Sequence, residues 1–342
     1  MPTTGDAHSS AVAALMRAVV CRRLAEDFGQ VAVDDAWPDP VAGRGQVLVQ
    51  VAAASVNYPD LLMCQGRYQY RPDPPFVPGM NLAGTVAALG ADVTGFAVGD
   101  RVAGSVRTGA FAELAAVDAG QLRAMPAALS LAVAAAYPSA YLTAYVALVR
   151  RANLQAGETL LVHGAAGGVG LATVDLGRIL GARVIATSAS ADKRAALAAY
   201  GADHVLDVSG DFAAEVKALT EGRGADVVFD PVGGDVFDQS ARCTAFDGRL
   251  LIIGFTGGCF ATLATNYALI KGFSVMGVRA GEYGRRFPDK GRENIDAIWS
   301  LAAEGVTRPR VHREFPLDQA VAAMAELRDR RVIGKAVVRC DR

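Results

Sequence analysis

The stretch Thr159-Leu160-Leu161-Val162-His163-Gly164-Ala165-Ala166-Gly167-Gly168-Val169-Gly170-Leu171 decides the fold. A short apolar run enters a cluster of glycines and alanines, and a helical pattern follows to residue 180. Small residues in the order Ala165-x-Gly167-x-x-Gly170 let the backbone turn tightly and approach a pyrophosphate on the N-terminus of the next helix. Such a spacing alone is weak, but its position between a strand and an amphipathic helix makes it specific. Ala165, Ala166, Gly167, Gly168, Val169 and Gly170 are therefore the candidate phosphate cradle.

Outward from this turn, short apolar strands alternate with helical patterns, the mark of βαβ units and a parallel sheet. Strands are expected at 159–163, 183–187, 204–207, 226–230, 249–254 and 274–278. Helices are expected at 168–180, 192–200, 212–220 and 235–246. Six parallel strands with helices on both faces form the doubly wound, dinucleotide-binding α/β arrangement. Upstream, runs at 17–21, 30–34 and 46–53 are β-like, and recurrent glycines from Gly79 to Gly109 suit a tightly turning, mostly antiparallel barrel. Beyond residue 283 the chain turns charged and helical (294–303, 318–329). A last strand, 335–339, lacks a βαβ partner and is expected to return to the first domain.

Composition narrows the class. The chain has 342 residues, 52% of them hydrophobic, enough for about two domains with full cores. Thirty-four basic residues against 35 acidic give a net charge of −1, without the footprint of a nucleic-acid binder. Five scattered cysteines form neither a disulfide framework nor a metal knuckle, so a reducing cytoplasm is expected. Residues 1–15 read as a loose tail and not a signal peptide, with a second possible start at Met16. The uncharged stretch 125–149 approaches transmembrane length, but its alanines, Pro126, Pro138 and hydroxyl residues point to buried helices at a domain junction, with no membrane partner.

The tip of the second expected strand chooses between cofactors. An NAD site places an acidic residue there, about 20 residues past the glycines, to accept from the ribose 2′-OH. Here the tip is Ser188. Ser188, Ser190, Lys193 and Arg194 suit a 2′-phosphate instead, so NADPH is the expected cofactor. Asp192 fits an ordinary first-turn helix position.

Pro78-Gly79-Met80-Asn81-Leu82-Ala83-Gly84, Gly90 and Val98-Gly99-Asp100-Arg101-Val102 resemble the medium-chain dehydrogenase/reductase superfamily. Ser55-Val56-Asn57-Tyr58-Pro59-Asp60, Gly66-x-Tyr68 and the fingerprint at 165–170 resemble its zinc-free NADPH:quinone oxidoreductase, zeta-crystallin-like branch. The resemblance spans residues 16–338. It implies a GroES-like catalytic barrel (16–141), a Rossmann domain (142–282), a C-terminal segment returning to the barrel (283–342) and a homodimer. The sixth strand, 273–278, is expected at the sheet edge, where an apolar edge invites a twofold partner.

Zinc-dependent relatives take ligands from a Cys in the first barrel segment and from the His of GHExxG. Here Met80 stands at the His and Asn81 at the acidic position, so no metal is expected. Asn81 departs even from zinc-free relatives, which keep Glu there. Without a Lewis acid, the accessible chemistry is hydride transfer to an already electrophilic small molecule, a quinone or activated alkene. Asn57, Tyr58 and Tyr68 are candidate hydrogen-bond donors to the developing oxyanion, with Asp60 as an orienting carboxylate. By resemblance, Thr143 holds the nicotinamide carboxamide, Asp230 and Val232 line the cofactor edge, Gly254 and Phe255 lie beneath the nicotinamide, and Gly334 and Lys335 close the cleft. Val208 replaces a Tyr that many relatives carry near the adenosine.

The basic run 279–292 reads as a solvated loop, in which Arg279 or Arg285 would greet an anionic substrate tail. On that basis an enoyl-thioester or 2-haloacrylate reductase is the same-fold alternative. A non-catalytic NADPH-binding or RNA-binding protein is the alternative of another class.

Overall fold

The computed structural model describes residues 14–341, so nearly all of the tail expected at 1–15 lies outside the described residues. The chain forms β1 (Leu15–Cys21), β2 (Val31–Pro38), β3 (Gln46–Ser55), α1 (Tyr58–Cys64), β4 (Asn81–Leu89), β5 (Arg101–Ser105), β6 (Leu114–Asp118), β7 (Leu122–Ala124) and α2 (Leu131–Tyr145). The alternating part follows as β8 (Thr159–Val162), α3 (Gly168–Ile179), β9 (Arg183–Thr187), α4 (Ala191–Tyr200), β10 (His204–Leu206), α5 (Phe212–Leu219), β11 (Ala225–Asp230), α6 (Asp235–Cys243), β12 (Thr244–Ile252), α7 (Thr265–Lys271) and β13 (Ser274–Gly277). The last elements are α8 (Ala280–Arg286), α9 (Pro288–Ala303), β14 (Val311–Pro316), α10 (Ala320–Arg328) and β15 (Lys335–Arg339).

Strands β8 to β13 form one parallel sheet in the order β10-β9-β8-β11-β12-β13. Strand order reverses beside β8, so the Gly-rich turn leaves its tip at the topological switch point, where doubly wound sheets bind ligands. β13 stands at the sheet edge.

Among the departures from the expected elements, two have a clear local cause. Helix α6 stops at Cys243, because Thr244 turns extended and its hydroxyl bonds back to the carbonyl of Ser240. β12 therefore starts at Thr244 and bulges, with Asp247 at φ 63°. The basic run expected as a loop is instead α8 and the start of α9, because Glu282 pairs with Arg285 and Arg286 at i+3 and i+4.

In the other domain β3 is the central strand, pairing with β4, β6 and β15 along its length. β14 and β15, from the chain's end, complete this mostly antiparallel sheet, as the unpartnered last strand led one to expect.

Helix α2 joins the two halves. Ser130 caps it by accepting from the amide of Val133. Its buried alanines 132, 134, 135, 136, 140 and 144 belong to one core that includes Ala53, Ala83 and Ala103 of the barrel sheet and Leu171, Ala172 and Val174 of α3. Methyl side chains let the helix approach both domains closely. Residues 131–151 are long and apolar enough to cross a membrane, yet 67% of the most apolar window is buried inside this junction.

A single carboxylate fastens the junction. Asp175 of α3, fully buried, accepts from the Tyr141 hydroxyl (2.8 Å), the Arg308 amide (2.7 Å) and the guanidinium groups of Arg308 (3.2 Å) and Arg178 (3.3 Å). Asp175→Ala would leave these donors unpaired and is expected to cost about 3–5 kcal/mol of stability, measured by urea unfolding.

Candidate functional site

The Gly-rich turn is shaped by what its neighbours leave free. A Cβ on Gly170 would stand 2.3 Å from the carbonyl oxygen of Gly164, and one on Gly168 only 2.2 Å from Cδ of Lys335. Glycine is thus demanded at 170 by the turn's own backbone and at 168 by the Lys335 stem, and the three glycines add no side chain of their own to the N-terminus of α3, where a pyrophosphate would sit. The turn is also tied to the other domain, since the Gly334 amide donates to the Ala166 carbonyl at 2.9 Å and Gly167 bridges Gly334.

At the tip of β9, Ser188 is half-buried and Ser190 caps α4. No acidic side chain occupies the tip. Arg194 folds back onto the carbonyls of Ser188 and Ala189 and pairs with Asp207 at 2.9 Å, so it stiffens the turn and is partly neutralised. Lys193 is half-buried, and its Nζ donates to the carbonyl of Arg330; burial and the nearby Arg330 guanidinium push its pKa down. Arg330, in the turn before β15, therefore brings a second cation to this corner, and its guanidinium donates to the Thr256 carbonyl at 2.8 Å. No local motif marks Arg330 in the sequence.

At the tip of β11, Asp230 is buried and its carboxylate accepts from the amides of Val232 (2.7 Å) and Gly233 (3.0 Å). Its first role is to shape the turn; burial raises its pKa against those two bonds. The turn at 231–232 is zipped to 256–257 by two backbone bonds, which sets Gly254 beside it and leaves Phe255 40% exposed, edge-on to Phe260. The Thr143 hydroxyl donates to the Ser139 carbonyl one turn back along α2.

Between the Gly-rich turn and the barrel lies a polar cluster. Asn57 precedes α1, and the buried Asp60 reaches back to its amide at 2.8 Å, which fixes the start of the helix. Asn57 Nδ2 donates to the carbonyl of Ser55 (3.0 Å) and to Asn81 Oδ1 (3.1 Å). Asn57 Oδ1 accepts from Lys335 Nζ at 2.5 Å, and the same ammonium donates to the Val56 carbonyl at 2.9 Å. Asn81 continues the cluster, accepting from the Ser139 hydroxyl (2.5 Å) and donating to Ser105 Oγ (2.7 Å). Both N–H groups of Asn57 are thus spent inside the protein, whereas the sequence reading took them as donors to substrate. The phenols of Tyr58, 38% exposed, and half-buried Tyr68 have no hydrogen-bond partner among the described residues.

Burial governs the two ionisable members. Asp60 is pushed up to about 7 by desolvation, opposed by the Asn57 amide and by Lys335. Its Oδ1 lacks a hydrogen bond of good geometry, the Gly79 amide offering only a favourable dipole nearby. Lys335 is pulled down to about 8 by desolvation, against the attraction of Asp60. Ser105, Ser139 and Asn81 were not among the candidate site residues; Asn81 drew attention only as a departure from the family pattern.

Arg285 is spent on Glu282 at 3.0 Å, and Arg279 is exposed at the start of α8 without an ion pair among the described residues. Among those residues no group of three or more His, Cys, Asp or Glu is placed to hold a metal ion. His163 is buried between the hydroxyls of Thr187 and Ser240, and desolvation lowers it to about 3.

Comparison with known proteins places this geometry. Residues 43–127 match the alcohol dehydrogenase GroES-like domain, and residues 168–299 match the zinc-binding dehydrogenase family model. The chain is 36% identical to a quinone oxidoreductase-like protein 2 of Bos taurus, over 94% of this chain and 92% of that protein. A probable oxidoreductase of Mycobacterium abscessus is similar in structure, with a TM-score of 0.86, 35% identity and coverage of 95% and 98%. So is a quinone oxidoreductase of Escherichia coli complexed with NADPH, with a TM-score of 0.85, 26% identity and coverage of 94% and 99%.

The turn itself gives a test. Gly170→Ala drives a methyl into backbone and is expected to lower the melting temperature steeply. Gly167→Ala meets only Gly164 O at 3.3 Å and is expected to do far less. Differential scanning calorimetry compares the two.

Proposed function

The chain belongs to the quinone oxidoreductase family of medium-chain dehydrogenase/reductases, and on that premise we propose that it transfers a hydride from NADPH to a quinone or another conjugated carbonyl without zinc. The observation that carries this reading is the amide and hydroxyl cluster of Asn57, Asn81, Ser105 and Ser139 beside the Gly-rich turn. With Met80 next to Asn81 in the chain, it offers neutral oxygens, amides and a thioether, a donor set poorly suited to zinc. NADPH, when bound, supplies the hydride.

The protein's own residues bind and orient. The backbone of Gly167, Gly168 and Gly170 and the N-terminus of α3 would receive the pyrophosphate. Ser188, Ser190, Lys193 and Arg330 would receive the 2′-phosphate. Asn57 holds the cleft floor rigid, and Tyr58 and Tyr68 offer phenols to the acceptor. On this zinc-free reading only hydrogen-bond and proton donors assist the acceptor, which favours one that is already electrophilic. Five unpaired cysteines, four of them buried, accord with a reducing cytoplasm. The enoyl-thioester alternative keeps only Arg279 of its two arginines, since Arg285 is paired with Glu282 within its own helix.

Following NADPH absorbance with 1,2-naphthoquinone, an alkenal, acryloyl-CoA and 2-chloroacrylate, using chelator-treated protein, tests the reading. Turnover of the quinone or alkenal is expected. Turnover confined to the thioester or haloacrylate, or loss of activity with the metal, would overturn it.

Two further outcomes follow. Lys193→Ala is expected to weaken NADPH binding about tenfold or more, the scale of one charge-assisted contact, and to leave NADH unchanged; equal losses would refute the 2′-phosphate assignment. A second copy is expected to pair along β13, where Val275 is 38% exposed and Phe246, Leu269 and Ile270 are 81%, 82% and 74% exposed. Light scattering should then report a dimer, and Val275→Pro a monomer or aggregate.

A further inference from the structure

The polar cluster contains one donor that its own bonds do not exhaust. An ammonium carries three N–H groups. Lys335 Nζ gives one to the Val56 carbonyl and one to Asn57 Oδ1, and the third has no partner among the described residues. The lysine is 8% exposed, and its stem crosses Gly168 at the mouth of the phosphate cradle, so the head lies between that cradle and α1. Asn57, spent in both N–H groups, serves to hold this head in place.

We propose that Lys335 is the proton donor of the reaction, giving its third N–H to the acceptor oxygen as the hydride reaches the acceptor carbon. The inference rests on the hydride-transfer reading above and deepens it. The balance is complete. NADPH, if bound, would supply two electrons and one hydrogen to the acceptor carbon, and the π electrons would shift onto oxygen as an enolate. For a quinone this is the keto tautomer of the hydroquinone, which then aromatises as its ring-carbon proton passes to solvent and the second oxygen gains one. The Nζ–H bond then breaks, the proton joins that oxygen, and Lys335 is left as a neutral amine. A proton from water restores it. Beside the stem a crevice of about 10 Å³, lined by Gly168, Tyr141, Tyr200, Arg310 and Lys335 among others, has room for one water.

Burial suits the lysine to this task, since desolvation brings it to about 8, where an acid both holds and releases its proton at neutral pH. The charged and titratable groups around it are few. Asp60 faces it from α1 and favours the ammonium. Tyr141 from α2 and Tyr200 from α4 are phenols pushed upward by desolvation, so they stay neutral. Arg310, just before β14, lines the crevice beside the stem and accepts the Lys335 backbone amide on its carbonyl at 3.0 Å.

The test combines kinetics with a lysine-specific NMR titration of the whole protein. One of the five lysines is expected to titrate near pH 8 and to vanish in Lys335→Met. Wild-type kcat/KM, which reports the free enzyme, should fall on a basic limb at the same pH. Lys335→Met should lose about 100-fold or more in kcat and lose that limb, with a loss that grows as the product oxyanion becomes more basic across a quinone series. Lys335→Arg, which keeps the charge but holds its proton, should behave likewise and guards against a variant that fails to fold. A Lys335 that titrates near 10.5, a limb that survives in both variants, or an equal loss for every quinone overturns the proposal. A limb that moves to Tyr68→Phe does the same. A wild-type protein that oxidises no NADPH with any acceptor overturns the hydride-transfer reading itself, whereas an active one with an ordinary Lys335 overturns the proton donor alone.

Discussion

The crossing of Lys335 over Gly168 is the contact on which the rest of the site depends. The lysine belongs to the barrel's last strand and the glycine to the cofactor domain's first helix. They approach so closely that no side chain fits between them. The adjoining bond from Gly334 to Ala166 holds the two strands of backbone in register. Together they fix the phosphate cradle relative to α1, so the cleft between the domains has one geometry where a hinge would have allowed many. The shared alanine core of α2 and the Asp175 hub act on the same seam from further away.

Burying so many polar groups is tolerable only because nearly all are satisfied. Asn57 and Asn81 divide their amides between neighbours, and the serine hydroxyls of positions 105 and 139 close the remaining gaps. The two groups left in tension are Asp60 and Lys335, which are not paired directly but bridged through Asn57. Each is driven towards its neutral form by burial and held charged by the other.

The alternating half of the chain was legible because each strand and helix repeats with its own period, and the glycine turn punctuates them at a unique place. The barrel was legible chiefly through its glycines and the family pattern, since its pairings, such as β15 with β3, join residues far apart in the chain. The end of α6 was misplaced because Phe246, although apolar, sits exposed on a strand bulge and mimics a helical position. The basic run concealed a helix because its stabilising pairs around Glu282 depend on a helical spacing that also suits a charged loop. Asn57 stands out in the sequence as a candidate donor to substrate, but which of its hydrogens remain free depends on Asn81 and Lys335, 24 and 278 residues away. Arg330 joins the cofactor corner only through the turn that leads into β15.

That last strand also has a bearing on how the chain is made. β15 lies inside its sheet, between β14 and β3, and it carries the lysine that anchors Asn57. During synthesis the barrel's first strands leave the ribosome well before their final neighbour is translated. Meanwhile the parallel sheet between them already has every strand it needs. The domain written first in the sequence is therefore the one completed last, and the cleft acquires its floor only when β15 emerges.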